Sequence, residues 1–221
     1  IRFKDLSRGG LRTIFTEKVE QMIIERSNVF IECYNLAYTQ HKKNKDIPEG
    51  GAKGVIFLRP YHDIIESETE IISQELRAAK LSQTDIEDKI NSYKKGQYTE
   101  FLYQAQRSFI DSFLTLINYD ENGIIRAKHV VDYYNKPEYI YLGPDELMHN
   151  SMIEWIAENA KFYFYRPGNC FITGKPALGI NHKEYGVTSL GVNVYMIEVL
   201  KHLGIDPKKD TFTIKLTGGP D

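Results

Sequence analysis

The sequence predicts an α/β fold: a mixed sheet flanked by helices, with a helical insertion. Three observations carry that reading. Short β-rich runs, among them Val55–Leu58, Glu138–Leu142 and Thr211–Leu216, alternate with stretches of helical periodicity, the pattern that lays helices onto a sheet. Between His62 and Asn118, charged residues alternate with Ile, Leu and Phe at helical spacing, with no Pro and a single Gly, Gly96; this marks a helical block. Finally, 42% of the 221 residues are hydrophobic and 12% aromatic, enough to bury a core.

In chain order, the turn-forming Ser7-Arg8-Gly9-Gly10 leads into a short strand over Gly10–Phe15. A helix fits Asn28–Lys42, with Ser27 as its N-cap and an apolar face of Phe30, Ile31, Tyr34, Ala37 and Tyr38. The Asn44–Gly54 segment, with Pro48 and its glycines, reads as a loop before the strand Val55–Leu58. The helical block divides into 62–80, 83–94 and 98–118, with Gly96 in the second break and Thr84/Glu87 as a capping box. Tyr119–Gly123 is a turn by composition, and Glu138–Leu142 is a strand ending at Gly143-Pro144-Asp145. Helices follow over Asn150–Tyr163 and Thr188–Leu203, the latter opened by Thr188 and Ser189 and closed by Gly204. The Thr173-Gly174-Lys175-Pro176 run between them is a turn, and Trp155 packs its helix on the sheet.

Composition narrows the function classes. With 28 Lys+Arg against 30 Asp+Glu, nothing favours coating of nucleic acid or an anionic membrane. No apolar run reaches the ~18–20 residues that span a bilayer. The two cysteines, Cys33 and Cys170, have no partner at metal-ligand spacing, so no metal site is expected and reduced thiols point to a cytoplasmic protein. The chain starts at Ile1 and stops at Asp221 directly after a strand-like run; the expectation is a fragment of a longer polypeptide.

Three glycine-bearing segments set charged side chains beside permissive backbone: Arg8-Gly9-Gly10-Leu11-Arg12, Pro48-Glu49-Gly50-Gly51-Ala52-Lys53-Gly54 and Gly143-Pro144-Asp145. Glycine lets a ligand approach the main chain. A cation held there can reach a carboxylate, and a carboxylate at a strand's C-terminal end lies where open α/β sheets present catalytic groups. Taken singly, each segment reads better as a turn with solvated charges than as a site. Neither the P-loop pattern nor GxGxxG occurs, although Thr211–Leu216 running into Gly218-Gly219 is how a dinucleotide-binding unit begins.

The order of the segments is more informative. RGGLR, Lys43-Asn44, PEGGAKG, GPD, Trp155-Ile156-Ala157, TGKP, YGVTS-x-GV and TGGPD run collinearly along the chain. That series resembles the large-subunit NAD-dependent glutamate dehydrogenases, a branch of the amino-acid dehydrogenase superfamily, over residues 1–58 and 138–221. The resemblance implies a substrate-binding α/β domain over 1–59 and 136–210, a helical insertion over 60–135, and the start of a Rossmann NAD-binding domain at 211–221.

It also implies roles. The family's catalytic lysine lies in its GGAKG segment, hence Lys53, polarising the 2-oxo carbonyl and the carbinolamine. Its catalytic aspartate lies in a Pro-Asp pair ten residues ahead of Trp-Ile-Ala, hence Asp145, the proton shuttle to ammonia. Arg8, ahead of Gly9 and Gly10, would hold the substrate's side-chain carboxylate. Lys43 would take the α-carboxylate, with Lys42, Lys45 and His41 as alternatives. Thr188, Gly218 and Gly219 would touch NAD. The whole enzyme would oxidise L-glutamate to 2-oxoglutarate and ammonium as a homo-oligomer, the present segment alone being inactive. Two other readings stay open: a dehydrogenase of another amino acid, and a segment acting mainly as an oligomer-assembly module through its helices at 62–118.

Overall fold

The computed structural model describes residues 1–43, 49–60, 62–177, 179–181 and 184–216. Its elements are β1 (Leu6–Phe15), α1 (Val19–Lys42), β2 (Gly50–Leu58), α2 (His62–Ala78), α3 (Gln83–Ile117), β3 (Tyr139–Pro144), α4 (Asn150–Phe162), a single 3-10 turn (Gly168–Phe171) and α5 (Val187–His202). The α/β class is as expected. The sheet is not mixed, however: its three strands run parallel in the order β2-β1-β3. Among the described residues, antiparallel pairing is confined to two isolated bridges, Arg2↔Ala52 beside β2 and Tyr119↔Ile125 in the turn after α3.

Strand alternation assigns the two faces. Leu11 of β1, Ile56 and Leu58 of β2 and Ile140 and Leu142 of β3 point one way, into a core closed by α3 and α4. Leu11, Ile110, Leu114 and Ile156 are fully buried there, each contributing about 1.5–3 kcal/mol by leaving water. The second half of α3 is thus part of the sheet's own core. Trp155 packs against this cluster and also takes Arg107 of α3 over its ring at 5.7 Å. The opposite face carries Arg8, Gly10 and Arg12 of β1 and Lys53 of β2, and α1 covers its β2 side.

The glycine-rich segments expected to be turns are strand interior. Ser7–Gly10 belongs to β1, and Gly50–Gly54 belongs to β2. The reason is tertiary: α1 lies so close on β2 that a Cβ at Gly51 would overlap the Ala37 carbonyl and the His41 backbone. The helix presents its smallest side chains there, so Cys33 and Ala37 are its buried residues, while Phe30 and Ile31 are 68% and 58% exposed. The expected apolar face of α1 is therefore displaced. The helix also begins nine residues earlier, at Val19. Ser27 lies inside it, donating back to the Ile23 carbonyl at 3.5 Å, and caps nothing.

Gly96 does not break the helical block. It lies exposed within the 35-residue α3 with no atom near its missing Cβ. The cap of α3 is Ser82, whose Oγ accepts from Asp85 N at 3.2 Å, rather than Thr84 with Glu87. Asp120 Oδ1 accepts from the Asn122 and Ile124 amides at 2.9 Å, making the expected turn before β3. α5 begins at Val187 after Gly186, without a side-chain cap from Thr188 or Ser189, and Gly204 follows its end at φ 73°. Residues 211–216 form no strand, and Thr217–Asp221, with Gly218 and Gly219, lie outside the described residues.

Two glycine substitutions separate close approach from mere flexibility. Gly51→Ala should lower unfolding stability by about 3 kcal/mol through overpacking against α1. Gly96→Ala should raise it by about 1 kcal/mol, because alanine is the better helix former and nothing obstructs it. Urea denaturation of the two variants checks both signs.

Candidate functional site

β1 lies between β2 and β3, and its register pairs Gly10 with Lys53 on one side and with Gly143 on the other. Asp145 follows the last residue of β3, at the C-terminal end of that strand. Lys53 Nζ donates to Asp145 Oδ2 directly over Gly10. A Cβ on Gly10 would lie 2.8 Å from both Lys53 Nζ and Asp145 Oδ2. The glycine is therefore a condition of the ion pair.

Several bonds hold the acid in place. Asp145 N donates to Leu11 O at 3.2 Å, and Thr13 N to Glu146 O at 3.2 Å, stitching the end of β3 to β1. Glu146 N donates to Asp145 Oδ1 at 2.9 Å, occupying the carboxylate oxygen that Lys53 leaves free. From the other side of the sheet, the buried Gln106 of α3 donates to Leu147 O and Thr13 Oγ1, each at 3.0 Å. Leu147 itself sits at φ 61°, a left-handed conformation unusual for a branched side chain, so the turn after Asp145 is over-determined by its neighbours.

Burial pushes the Asp145 carboxyl up, but the hydrogen bond and charge of Lys53, the Glu146 amide and the charge of Arg12 outweigh it. The carboxyl is held below its ordinary value. Lys53 is 8% exposed and Asp145 39%, so the acid faces solvent while the amine is tucked beneath α1. Cys33 of that helix donates its thiol to the Lys53 carbonyl at 3.3 Å.

Arg8 is two residues before Gly10 on the same face, about 7 Å along the strand. It opens onto a cleft of about 530 Å³ lined by Glu49, Tyr141, Thr173 and Lys175 among others. Its guanidinium lies 4.0 Å from Glu49, whose side chain is 6% exposed. Lys175, nearly buried, donates to Ile172 O.

The remaining candidates are not brought together in this way. Lys43 is the exposed C-cap of α1 and makes no ion pair with a described residue. The Asn44 and Lys45 beside it are outside the described residues. His41, the alternative, accepts Gly51 N–H on Nδ1 at 3.3 Å and packs on Phe3, a helix-end histidine occupied by the β2 backbone. Thr188 is exposed in the first turn of α5. The described residues therefore do not by themselves build a dinucleotide cradle. Residues that single motifs gave no reason to pick are Arg12, Glu146 and Gln106. Only Arg12 carried a signal, as the last residue of RGGLR.

Because the folded-state pKa of Asp145 lies below its unfolded value, its contribution to stability is present above about pH 4 and is lost as pH falls through the depressed folded value. Lys53→Met should therefore lower the urea midpoint at pH 7, and the gap to the unmutated chain should narrow below about pH 4. An undiminished gap at pH 3 would contradict the pairing.

The chain is 35% identical over its whole length to the NAD-specific glutamate dehydrogenase of Neurospora crassa, covering 17% of that protein. It is 31% identical to the NAD-specific glutamate dehydrogenase of Saccharomyces cerevisiae and 33% identical to glutamate dehydrogenase 2 of Dictyostelium discoideum, again over all of this chain and 17% of theirs. It thus spans about one sixth of the length of the curated relatives it matches. No family model and no solved structure matches it. The order of motifs and this full-length similarity agree: the chain is homologous, from end to end, to a segment of the large-subunit NAD-specific glutamate dehydrogenases.

Proposed function

We propose that this chain is the substrate-binding and proton-transfer segment of a NAD-dependent glutamate dehydrogenase, which oxidises L-glutamate to 2-oxoglutarate and ammonium. The observation that carries the reading is the Lys53–Asp145 pair over Gly10, on the same sheet face as Arg8. Arg8 would engage the side-chain carboxylate, and the volume of its cleft is in the range of small-ligand sites. Lys43 would meet the α-carboxylate from the end of α1.

Removal of hydride from Cα is NAD chemistry, and the rest of the polypeptide would hold that cofactor. The residues here bind, orient and move protons. Asp145, kept ionised by its neighbours, takes a proton from the substrate ammonium so that the amine can be oxidised. Asp145 passes that proton to solvent and then takes one from the water that adds to the imine carbon. The Lys53 ammonium stabilises the oxygen of the resulting carbinolamine; Asp145 gives its proton to the amine nitrogen, and as the C–N bond breaks the hydroxyl proton goes to the leaving ammonia, which departs as ammonium. One acid–base group and one fixed cation suffice for each step.

A dehydrogenase of another amino acid is disfavoured by Arg8, since an apolar side chain would leave that guanidinium unmatched. Homo-oligomer formation, in the cytoplasm, belongs to the same proposal. Phe30 and Ile31 of α1 and Leu190, Val194 and Tyr195 of α5 leave apolar surface exposed on this chain, between 58% and 79% for each residue.

In the complete enzyme, Lys53→Ala and Asp145→Asn should each lower kcat/KM by about 10²–10⁴. Arg8→Leu should raise KM for glutamate by about 10–100-fold, the worth of a charge-assisted bond, and turn preference toward an apolar amino acid. Steady-state kinetics with both substrates checks this; unchanged glutamate affinity would remove Arg8 from the site. The purified 221-residue chain alone should show no NAD-linked turnover.

A further inference from the structure

Arg12 lies on the same face of β1 as Gly10, two residues further along. One guanidinium nitrogen pairs with Glu32 of α1 at 2.5 Å, and the other with Glu146, the residue after Asp145. A single planar cation thus ties three separate segments together: β1, the helix lying over the sheet, and the turn that carries the acid. Its Nε is buried without a hydrogen-bond partner among the described residues. Its orientation is set by two carboxylates at once.

We propose that Arg12 is a positioning residue for the Lys53–Asp145 pair: by clamping Glu146 to Glu32, it holds the Asp145 carboxylate where Lys53 Nζ meets it. The inference rests on the functional reading above and deepens it. The route is short. Glu146 N donates to Asp145 Oδ1, so a shift of Glu146 moves the acid directly. The charged groups around Asp145 are Lys53 from β2, Arg12 from β1, and Glu146 on its own turn, with Glu32 of α1 reaching it through Arg12. α3 presents the neutral Gln106 to the same turn. Arg12 also adds positive potential that favours the ionised acid. A lysine could supply that charge, but its ammonium lacks the planar fork that spans two carboxylates.

The test is the pH dependence of kcat/KM for glutamate oxidation by the complete enzyme. Arg12→Met should lower kcat about tenfold or more through misplacement of the acid and move the acidic limb up by about one pH unit. KM for glutamate should change less than about twofold, because no substrate contact is removed. Arg12→Lys should return the limb to its original position while recovering only part of kcat. An acidic limb that stays put in Arg12→Met, or a loss carried wholly by KM, overturns the proposal. If Arg12→Met does not assemble, Arg12→Lys decides: kcat equal to that of the unmutated enzyme overturns the clamp, and a reduced kcat with an unmoved limb supports it. Lys53→Ala and Asp145→Asn distinguish the two levels. If either retains full turnover, the functional reading itself fails. If both abolish turnover while Arg12→Met leaves the limb unmoved, only the positioning role is lost.

Discussion

Lys53 and Asp145 can meet only because one side chain is missing between them. They are carried by strands on opposite flanks of β1, two strand spacings apart, or about 9.6 Å. A lysine is long enough to cross much of that gap, provided the intervening strand offers no obstacle. Gly10 is the residue crossed, and its absent Cβ would lie 2.8 Å from each charged atom. The order β2-β1-β3, the parallel register and the glycine are therefore one condition. A shift of register by a single residue would place Leu11 beneath the pair and turn Lys53 to the other face.

The sheet divides its two faces accordingly. One is sealed by α3 and α4 with close-packed aliphatic and aromatic side chains, which makes β1 a rigid support. On the other, α1 descends on β2 at Gly51 through Cys33 and Ala37. That cover buries the Lys53 amine and leaves the Asp145 carboxylate in touch with solvent. It also leaves a polar strip along β1, Arg8, Gly10 and Arg12, whose charged members answer the acids Glu49, Glu32 and Glu146. Gln106 is a polar bridge from the apolar side, reaching past β1 to the turn behind Asp145.

Much of this was legible in the sequence, but unevenly. The α/β class and the presence of the helices followed from periodicity, and the roles of Lys53 and Asp145 were implied by the family resemblance; that the second half of α3 belongs to the sheet's core, rather than to an insertion, was not foreseen. The glycines were misread because composition cannot separate a residue chosen for turning from one chosen to be small. At Gly9, Gly10 and Gly51 the neighbour that excludes a side chain comes from a strand or helix remote in sequence, and no local pattern records it. Gly96 erred the other way: a long helix already anchored by Leu102, Ile110 and Leu114 absorbs the cost of one glycine. Ser27 and Thr84 are good caps by type, yet the flanking chain extends helix past both, and the cap falls to Ser82 where the backbone turns. The expected strand at 211–216 finds no strand to pair with among the described residues, and a strand without a partner is not a stable element.

On the function proposed above, the spacing along β1 would tie recognition to chemistry in a way side chains alone could not. Residues two apart on one face of a strand stand about 7 Å from each other, and neither packing nor solvent alters that figure much. Arg8 and Gly10 are such a pair, with the acid and the amine assembled over the second. On the function proposed above, a dicarboxylate is gauged by this interval: one end is anchored at Arg8 while the reacting carbon lies by Lys53 and Asp145. A flexible loop could hold the same residues, yet its ends would wander by more than the length of a methylene group. Parallel pairing on both flanks of β1 removes that freedom. The same bonds that make the sheet thus keep the anchor at a constant distance from the reacting groups.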